Sequence, residues 1–147
     1  TMCMLSDRCA SADDALERVT VVDDQVGRLT FTETMAGAIF HLLGYREGDM
    51  EPTAPAPYGL YNCTNSGDAA SWAKIAAMVF ERANGNGGAV KPVSTADYYA
   101  NAAGPIAPRP EHSALDLSKL EATGFAPADW HAELDAYMDE LLAGKVN

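Results

Sequence analysis

The sequence predicts an α/β fold with about three short strands and four to five helices. Short β-branched runs, such as residues 19–22, alternate along the chain with longer segments whose apolar residues recur at helical spacing. Glycine or proline marks many of the boundaries between them, as at Gly44 and residues 84–88 (N-G-N-G-G). Because strands alternate with helices, we expect a mostly parallel sheet, although three strands make a thin one.

The first elements are predicted from apolar spacing. Residues 2–9 are spaced like the end of a helix, and an acidic loop separates them from the strand at residues 19–22. The next helix is expected to begin at Thr32 or Glu33 and to stop at Gly44, because glycine suits a helix C-terminus. One face of this helix carries Met35, Ile39, Leu42 and Leu43.

The middle of the chain is predicted to contain a linker, two strands and a helix. Residues 45–57 include three prolines and form a surface linker, and residues 58–64 (Y-G-L-Y-N-C-T) form the second strand. A helix starts near Ser71 and is ended by residues 84–88, and the third strand covers residues 89–93. The apolar residues at helical spacing are Trp72, Ile75, Ala76, Val79 and Phe80.

The last part of the chain is predicted to be helical except for one loop. Ser94 or Thr95 caps a single helical turn, and a proline-rich loop follows at residues 104–110. Residues 115–120 enter a short helix, and Pro127 opens a final amphipathic one. The inward residues of that helix are expected to be Trp130, Leu134, Met138, Leu141 and Leu142.

The composition excludes several classes of partner. The chain has 147 residues, a single-domain length, with 48% hydrophobic and 21% charged residues. A formal net charge of −11 argues against nucleic acid or an anionic membrane, because phosphate groups need a basic face. No apolar run reaches the roughly 18–20 residues that cross a bilayer. Cys3, Cys9 and Cys63 are odd in number and are expected to be reduced thiols in a cytoplasmic protein.

Complete catalytic sets are missing from the sequence. No tyrosine is followed four residues later by lysine. The glycine cluster at residues 85–88 lies between a helix and a strand, the reverse of the order that a dinucleotide site requires. His41, His112 and His131 are too scattered to indicate a metal site. On sequence alone, therefore, we expect no catalytic residue, no bound cofactor and no metal in this chain.

Two arginines are the strongest binding candidates. Arg28 follows residues 23–27 (D-D-Q-V-G), where a strand ends and a tight turn points towards a cleft. Arg109 lies between two prolines that stiffen its loop, which suits bidentate contact with a pyrophosphate. Each arginine has the alternative of pairing with a nearby carboxylate. Gln25 and Thr30 either hydrogen-bond a ligand or close the turn.

Three sequence blocks are typical of one family of enzymes. Residues 24–30 (D-Q-V-G-R-L-T) match the family pattern D-Q-x-G-x-P-T, with Leu29 in place of the usual proline. Residues 59–64 (G-L-Y-N-C-T) match G-x-Y-x-x-T, and residues 71–72 supply the S-W that follows. Residues 109–120 match R-P-x-x-S-x-L-D-x-x-K-L. The blocks occur in the family's order and cover most of the chain, which therefore resembles the dTDP-4-dehydrorhamnose reductases, a family of extended short-chain dehydrogenase/reductases.

The resemblance implies a division of labour. The N-terminal half of such a reductase holds NADPH or NADH and the catalytic tyrosine and lysine, and the C-terminal part closes over the dTDP-sugar. Residues 1–147 are therefore expected to be the C-terminal nucleotide-sugar-binding portion of an enzyme that reduces dTDP-4-dehydro-L-rhamnose, inactive alone and lacking the main Rossmann sheet. Under this resemblance the candidate substrate-binding residues are Arg109, Arg28, Gln25 and Thr30.

Two alternatives remain open at this point. One is a non-catalytic relative with a regulatory or scaffolding role, since fold similarity does not guarantee chemistry. The other is an extended reductase or epimerase for a different nucleotide sugar. A portion of this kind is also expected to leave a strand edge or an apolar face uncovered, which favours a homodimer.

Overall fold

The computed structural model describes residues 18–45 and 51–144, which contain five α-helices and four strands. In chain order these are β1 (Val19–Val22), β2 (Val26–Gly27), α1 (Thr32–Leu42), β3 (Ala70–Ser71), α2 (Trp72–Asn84), β4 (Val90–Val93), α3 (Thr95–Tyr98), α4 (Ser118–Glu121) and α5 (Trp130–Leu142). No helix in these ranges is long and apolar enough to cross a membrane. The helix predicted at residues 2–9 lies outside the described residues.

The described residues fall into two compact units. Unit 1 consists of residues 18–27, 69–113 and 136–144. Unit 2 consists of residues 28–45, 51–68 and 114–135.

A parallel pair of strands is the centre of unit 1. β1 pairs with β4 in parallel, with Val19 opposite Val90 and Val22 opposite Val93. Both strands are rich in valine, whose branched side chain suits a pleated, half-buried surface. Helix α2 packs against the pair and buries one apolar face on it. The resulting core cluster contains Ala73, Ala76, Phe80, Ala89 and Val90, with Val19, Val21 and Ala77 at its edge.

A second, smaller pairing in unit 1 fixes the segment after β1. β2 pairs antiparallel with β3 over two residues. On its other side Val26 N–H donates to Glu111 O at 2.7 Å, and Val26 O accepts from Ser113 N–H at 2.8 Å. This bridge anchors the end of the proline-rich loop that carries Arg109.

The predicted boundaries of the unit 1 helices are confirmed, including the cap predicted at Ser94 or Thr95. Ser71 Oγ accepts from Lys74 N–H at 3.2 Å at the start of α2, and Gly85 ends that helix in a left-handed conformation (φ 70°). Ser94 Oγ likewise accepts from Asp97 N–H at 3.0 Å and begins α3. These bonds satisfy amide groups that have no partner inside the helix.

The side chain of Asn65 connects three stretches of unit 2. It is fully buried, with 0% exposure. Its Oδ1 accepts from Phe31 N–H at 2.8 Å, and its Nδ2 donates to Thr34 Oγ1 at 2.9 Å and to Ala128 O at 3.1 Å. Because a buried amide without partners would be costly, these bonds hold the start of α1 and the turn before α5 in one arrangement.

Helix α1 lies where it was predicted, but its apolar face is largely uncovered. Thr34 and Ala38 are the buried residues of α1, because Thr34 is held by Asn65 and Ala38 follows it by one helical turn. Gly44 follows the helix with φ 89°, and a side chain there would collide with Thr53 O. The exposed apolar residues at this end of unit 2 are Met35, Ile39, Phe40, Leu43 and Tyr45.

The predicted second strand at residues 58–64 is wrong. This segment is irregular, and no strand among the described residues pairs with it. Its Leu60 carbonyl accepts instead from Lys119 Nζ at 2.6 Å, and Tyr58 is fully exposed. The two-residue strands β2 and β3 take its place, so the described strands form one parallel pair and one antiparallel pair rather than a single mostly parallel sheet.

The final helix is confirmed with a shifted start and a smaller buried face. It begins at Trp130 rather than Pro127, and the Asp129 carboxylate caps it by accepting from His131 N–H at 2.8 Å. Leu142 was expected to face inward but is 57% exposed, and in α2 Trp72 is 37% exposed. The residues of α5 that are buried as predicted are Trp130, Leu134 and Met138.

We expect Asn65→Ala to lower the free energy of unfolding by about 2–4 kcal/mol, because it removes the three hydrogen bonds that a fully buried side chain makes. Asn62→Ala is the matched control, since the Asn62 amide makes one exposed bond, to Asp116 O at 3.2 Å. Urea denaturation gives the total change, and amide hydrogen exchange shows whether the loss concentrates in unit 2. Equal stability of the two variants would contradict the central role of Asn65.

Candidate functional site

The carboxyl ends of β1 and β4 lie at the same edge of unit 1, where a cleft of about 620 Å³ opens. In proteins built from parallel strands and helices, this edge is the usual place for a ligand. The described residues that line the cleft are Asp23, Asp24, Lys91, Pro92, Val93, Ser94 and Asp97.

Asp24 and Gln25 converge on Thr95 beside this cleft. The Asp24 carboxylate accepts from Thr95 Oγ1 at 2.6 Å and from Thr95 N–H at 2.8 Å. The Thr95 hydroxyl, followed by its N–H, holds the pKa of Asp24 below its ordinary value of 3.8. Gln25 Nε2 donates to the same Thr95 Oγ1 at 2.9 Å. Gln25 is therefore fixed next to a permanent carboxylate.

The other two carboxylates of the cleft are also held by hydroxyls. Ser71 Oγ donates to Asp23 Oδ1 at 2.5 Å, and Ser94 Oγ donates to Asp97 Oδ2 at 2.7 Å. Lys91 is the single cation among the described lining residues. Three carboxylates repel a diphosphate but accept hydrogen bonds from hydroxyl groups. The cleft is therefore suited to a sugar and unsuited to a pyrophosphate.

Arg109 is exposed in the irregular stretch that ends at the bridge to Val26. Within the described part of the chain its guanidinium makes no hydrogen bond or ion pair. The five N–H donors of this side chain therefore stay available to an anion.

Arg28 lies in unit 2 and has two protein partners. Its Nε donates to Gly67 O at 2.7 Å and its Nη1 donates to Leu115 O at 3.1 Å. Gly67 has φ 99°, and a side chain on it would lie 2.6 Å from Asp129 Oδ2, so this close turn requires glycine. Arg28 thus uses Nε and Nη1 to bind two loop carbonyls, and its Nη2 has no partner among the described residues.

Thr30 also lies in unit 2 and closes a turn. Its Oγ1 is 2.6 Å from Thr64 Oγ1, and Thr64 Oγ1 donates in addition to Leu29 O at 3.3 Å. Thr30 is exposed, so its hydroxyl is also open to solvent on one side.

The structure thus assigns the four candidates to different surroundings. Gln25 and Arg109 belong to unit 1, while Arg28 and Thr30 belong to unit 2. Sequence reasoning treated Thr95 only as a helix cap and missed its bond to Asp24. The available signal was that polar residues directly follow two valine-rich strands, since the ends of parallel strands meet at one edge.

The glycine cluster is not arranged as a dinucleotide-binding loop. It follows α2 and continues through a 3-10 turn at Gly87–Ala89 into β4. In a dinucleotide site the glycine loop instead follows a strand and opens the helix whose N-terminus receives the pyrophosphate. The described residues also contain no group of three or more His, Cys, Asp or Glu side chains placed to hold a metal ion.

These features define an α/β domain with a polar ligand cleft at the ends of its parallel strands. The chain belongs to the family described as "RmlD substrate binding domain", which matches residues 7–143. The predicted family resemblance is therefore confirmed.

Three curated proteins share about a third of their aligned residues with the chain. The spore coat polysaccharide biosynthesis protein SpsK of Bacillus subtilis is 31% identical over 124 residues, which are 84% of this chain and 38% of that protein. A probable dTDP-4,6-dihydroxy-2-methyloxan-3-one 4-ketoreductase of Streptomyces antibioticus is 30% identical over 86% of the chain and 38% of its own length. The dTDP-4-dehydrorhamnose reductase of Streptomyces griseus is 32% identical over 80% of this chain and 36% of its own length. The chain thus spans under two-fifths of the length of these relatives.

Two crystal structures resemble the chain over nearly its whole length. The dTDP-4-dehydrorhamnose reductase of Bacillus anthracis, solved in complex with NADP, gives a TM-score of 0.68 at 25% identity and covers 95% of this chain and 42% of its own. An RfbD orthologue from Clostridium acetobutylicum gives 0.69 at 26% identity, with coverage of 96% and 42%. The predicted α/β fold class is confirmed, and the described residues contain no main Rossmann sheet.

We expect Thr95→Ala to raise the pKa of Asp24 towards 3.8, because it removes the hydroxyl that lowers that pKa most. The backbone N–H of residue 95 should still lower the Asp24 pKa in part, and Thr95→Ser should restore the full lowering because it keeps the hydroxyl. Since the folded-state pKa is depressed, the stabilisation by this carboxylate is present above the unfolded-state pKa and is lost as pH falls through the folded-state pKa. A carboxyl ¹³C NMR titration measures the shift; an unchanged pKa in Thr95→Ala would contradict the assignment.

Proposed function

We propose that this chain is the substrate-binding portion of a reductase that converts dTDP-4-dehydro-L-rhamnose to dTDP-L-rhamnose with NADPH or NADH, for the synthesis of cell-surface polysaccharide in the cytoplasm. The observation that carries the proposal is the family match over residues 7–143. The names of the relatives from Streptomyces griseus and Bacillus anthracis support it further. The described residues supply binding groups, and they are expected to be inactive alone.

In this proposal the diphosphate of the dTDP-sugar is bound by Arg109. Its guanidinium has no partner within the described part of the chain, and its fork of donors matches two phosphate oxygens. The bridge between Val26 and residues 111–113 limits the motion of its loop on one side. Because the acidic cleft repels phosphate, Arg109 rather than the cleft is assigned this role.

The sugar is assigned to the cleft at the ends of β1 and β4. Asp24 is held as a carboxylate by Thr95, and it accepts hydrogen bonds from hydroxyl groups. Gln25 lies beside it, with its amide nitrogen on Thr95 and its amide oxygen available as an acceptor. Neutral hydroxyl groups can enter such a site without the repulsion that a phosphate would meet.

Arg28 and Thr30 are proposed as weaker substrate contacts. Nη2 of Arg28 makes no hydrogen bond to the loop carbonyls that bind its other nitrogens. Thr30 is exposed to solvent although its hydroxyl is bonded to Thr64. Both side chains also hold their own turns. We therefore expect their substitution to affect stability as well as ligand affinity.

A second candidate function is the reduction of a different dTDP-linked keto sugar. The relative from Streptomyces antibioticus, named as a probable 4-ketoreductase for another dTDP compound, favours it at 30% identity. Both functions use the same nucleotide and differ in the sugar. Comparing the affinity of this chain for dTDP-L-rhamnose with its affinity for other dTDP-deoxysugars separates them, because only the sugar contacts change.

The proposed partners are the dTDP-sugar, a cofactor-binding portion like that of the longer relatives, and a second copy of the chain. The homodimer is supported by the exposed apolar side chains of Ile39, Phe40 and Leu43 at one end of α1 and just after it. Sedimentation velocity over a range of concentrations tests it. We expect Phe40→Asp to shift the chain to monomer, and a wild-type chain that stays monomeric throughout would contradict the dimer.

We expect Arg109→Ala to weaken dTDP binding by this chain about 10–100-fold, because a charge-assisted contact to phosphate is worth roughly 1.5–3 kcal/mol. Arg109→Lys should recover only part of the loss, since an ammonium cannot form the bidentate contact. Isothermal titration with dTDP measures the affinities.

Arg18→Ala is the matched control, because Arg18 is another exposed arginine of unit 1. In a protein joined to a cofactor-binding portion, Arg109→Ala should raise KM for the nucleotide sugar more than it lowers kcat. An unchanged KM, or an equal loss in Arg18→Ala, would rule out the assignment of the diphosphate to Arg109.

A further inference from the structure

Unit 2 contains a second cleft, of about 340 Å³, that none of the four substrate candidates lines. This volume lies at the lower end of the range of small-molecule sites, about 300–1,000 Å³. The described residues that line it are His41, Ala54, Ala56, Pro57, Tyr61, Lys119, Ala122 and Thr123.

Lys119 is the fixed charge of this cleft. Its Nζ donates to Leu60 O at 2.6 Å and lies 4.4 Å from the centre of the Tyr61 ring. An ammonium has three N–H donors, so two remain after the bond to the carbonyl. The described lining contains no carboxylate, and the positive charge is not neutralised within the cleft.

The polar groups around Lys119 are oriented by backbone carbonyls. His41 Nε2 lies 3.0 Å from Thr123 O, and because a carbonyl only accepts, this nitrogen carries a proton. The Tyr61 hydroxyl donates to Pro57 O at 2.6 Å. Both side chains thus take their hydrogen bonds from backbone carbonyls and use none of the Lys119 donors. The remaining lining residues are three alanines, one proline and Thr123.

Lys119 does not take part in the core packing of the sequence block at residues 109–120. Leu117 is 7% exposed and Leu120 is fully buried, so these two side chains serve the core. Lys119 is exposed on the other side of the same short helix α4 and lines the cleft. Nothing in the proposed binding of a dTDP-sugar uses it.

We propose that this cleft binds a small organic carboxylate, with its charged group on Lys119 and its apolar body against Ala54, Ala56 and Ala122. One ammonium with two free donors balances one carboxylate, whereas a phosphate dianion calls for more donors. The net charge of −11 opposes any anion at long range, but salt screens that field beyond about 8 Å at physiological ionic strength. The contact with Lys119 is much shorter than that.

The test is a titration of the full 147-residue chain with sodium benzoate, followed by amide chemical shifts in ¹H–¹⁵N spectra. Benzamide is the matched neutral probe, since it differs by the loss of the charge. We expect benzoate to shift the amides of residues 58–61 and 119–123 and to bind about tenfold more tightly than benzamide.

Three variants separate binding from a structural role of Lys119. Lys119→Gln should weaken benzoate binding about tenfold, and Lys119→Arg should restore most of it because the charge returns. Ala122→Leu should abolish binding with the charge intact, because the larger side chain fills the cleft. Lys74→Gln is the control for loss of a lysine elsewhere, on α2 in unit 1.

Four results would overturn the proposal. They are equal affinity for benzoate and benzamide, undiminished binding by a folded Lys119→Gln chain, shifts confined to unit 1, and displacement of benzoate by dTDP. The last would mean that the cleft belongs to the nucleotide site. Because dTDP binding is measured separately through Arg109, failure of either proposal leaves the other intact.

Discussion

The buried amide of Asn65 is the interaction from which the arrangement of unit 2 follows. An amide removed from water has to find partners inside the protein, and Asn65 finds them on Phe31, Thr34 and Ala128. The bond to Thr34 also sets the rotation of α1 about its axis. That rotation buries Ala38 and leaves the apolar stripe of the helix exposed. A polar contact, rather than hydrophobic burial, therefore decides which surface of α1 is exposed.

Unit 1 depends on a different constraint, the parallel register of β1 and β4. Because the two strands run the same way, their carboxyl ends bring Asp24 and Thr95 together although they are far apart in the sequence. Hydroxyl groups then hold all three carboxylates of the cleft. The same geometry that pairs the strands thus creates an acidic, hydrogen-bonding surface, which favours hydroxyl groups over phosphate.

The two arginines show how similar sequence signals lead to different chemistry. Arg28 is predicted at a tight turn after a strand, and Arg109 is predicted in a loop that two prolines stiffen. Arg28 donates to the carbonyls of Gly67 and Leu115 and so helps to position two loops, while Arg109 stays exposed and without a described partner. A guanidinium group contributes more to ligand affinity when its N–H donors are not already bonded to the protein. For this reason the proposed diphosphate contact rests on Arg109.

By itself the sequence determined most of the helices and the two valine-rich strands among the described residues. Helical spacing, valine runs and boundary residues such as Ser71, Ser94 and Gly44 predict these elements, because those signals act within a few residues. Only the tertiary structure decided that residues 58–64 are irregular. A strand exists only if a partner strand is available, and the choice of partner is made between segments distant in sequence. The exposed face of α1 and the use of the Arg28 donors were settled in the same way, by contacts that periodicity does not encode.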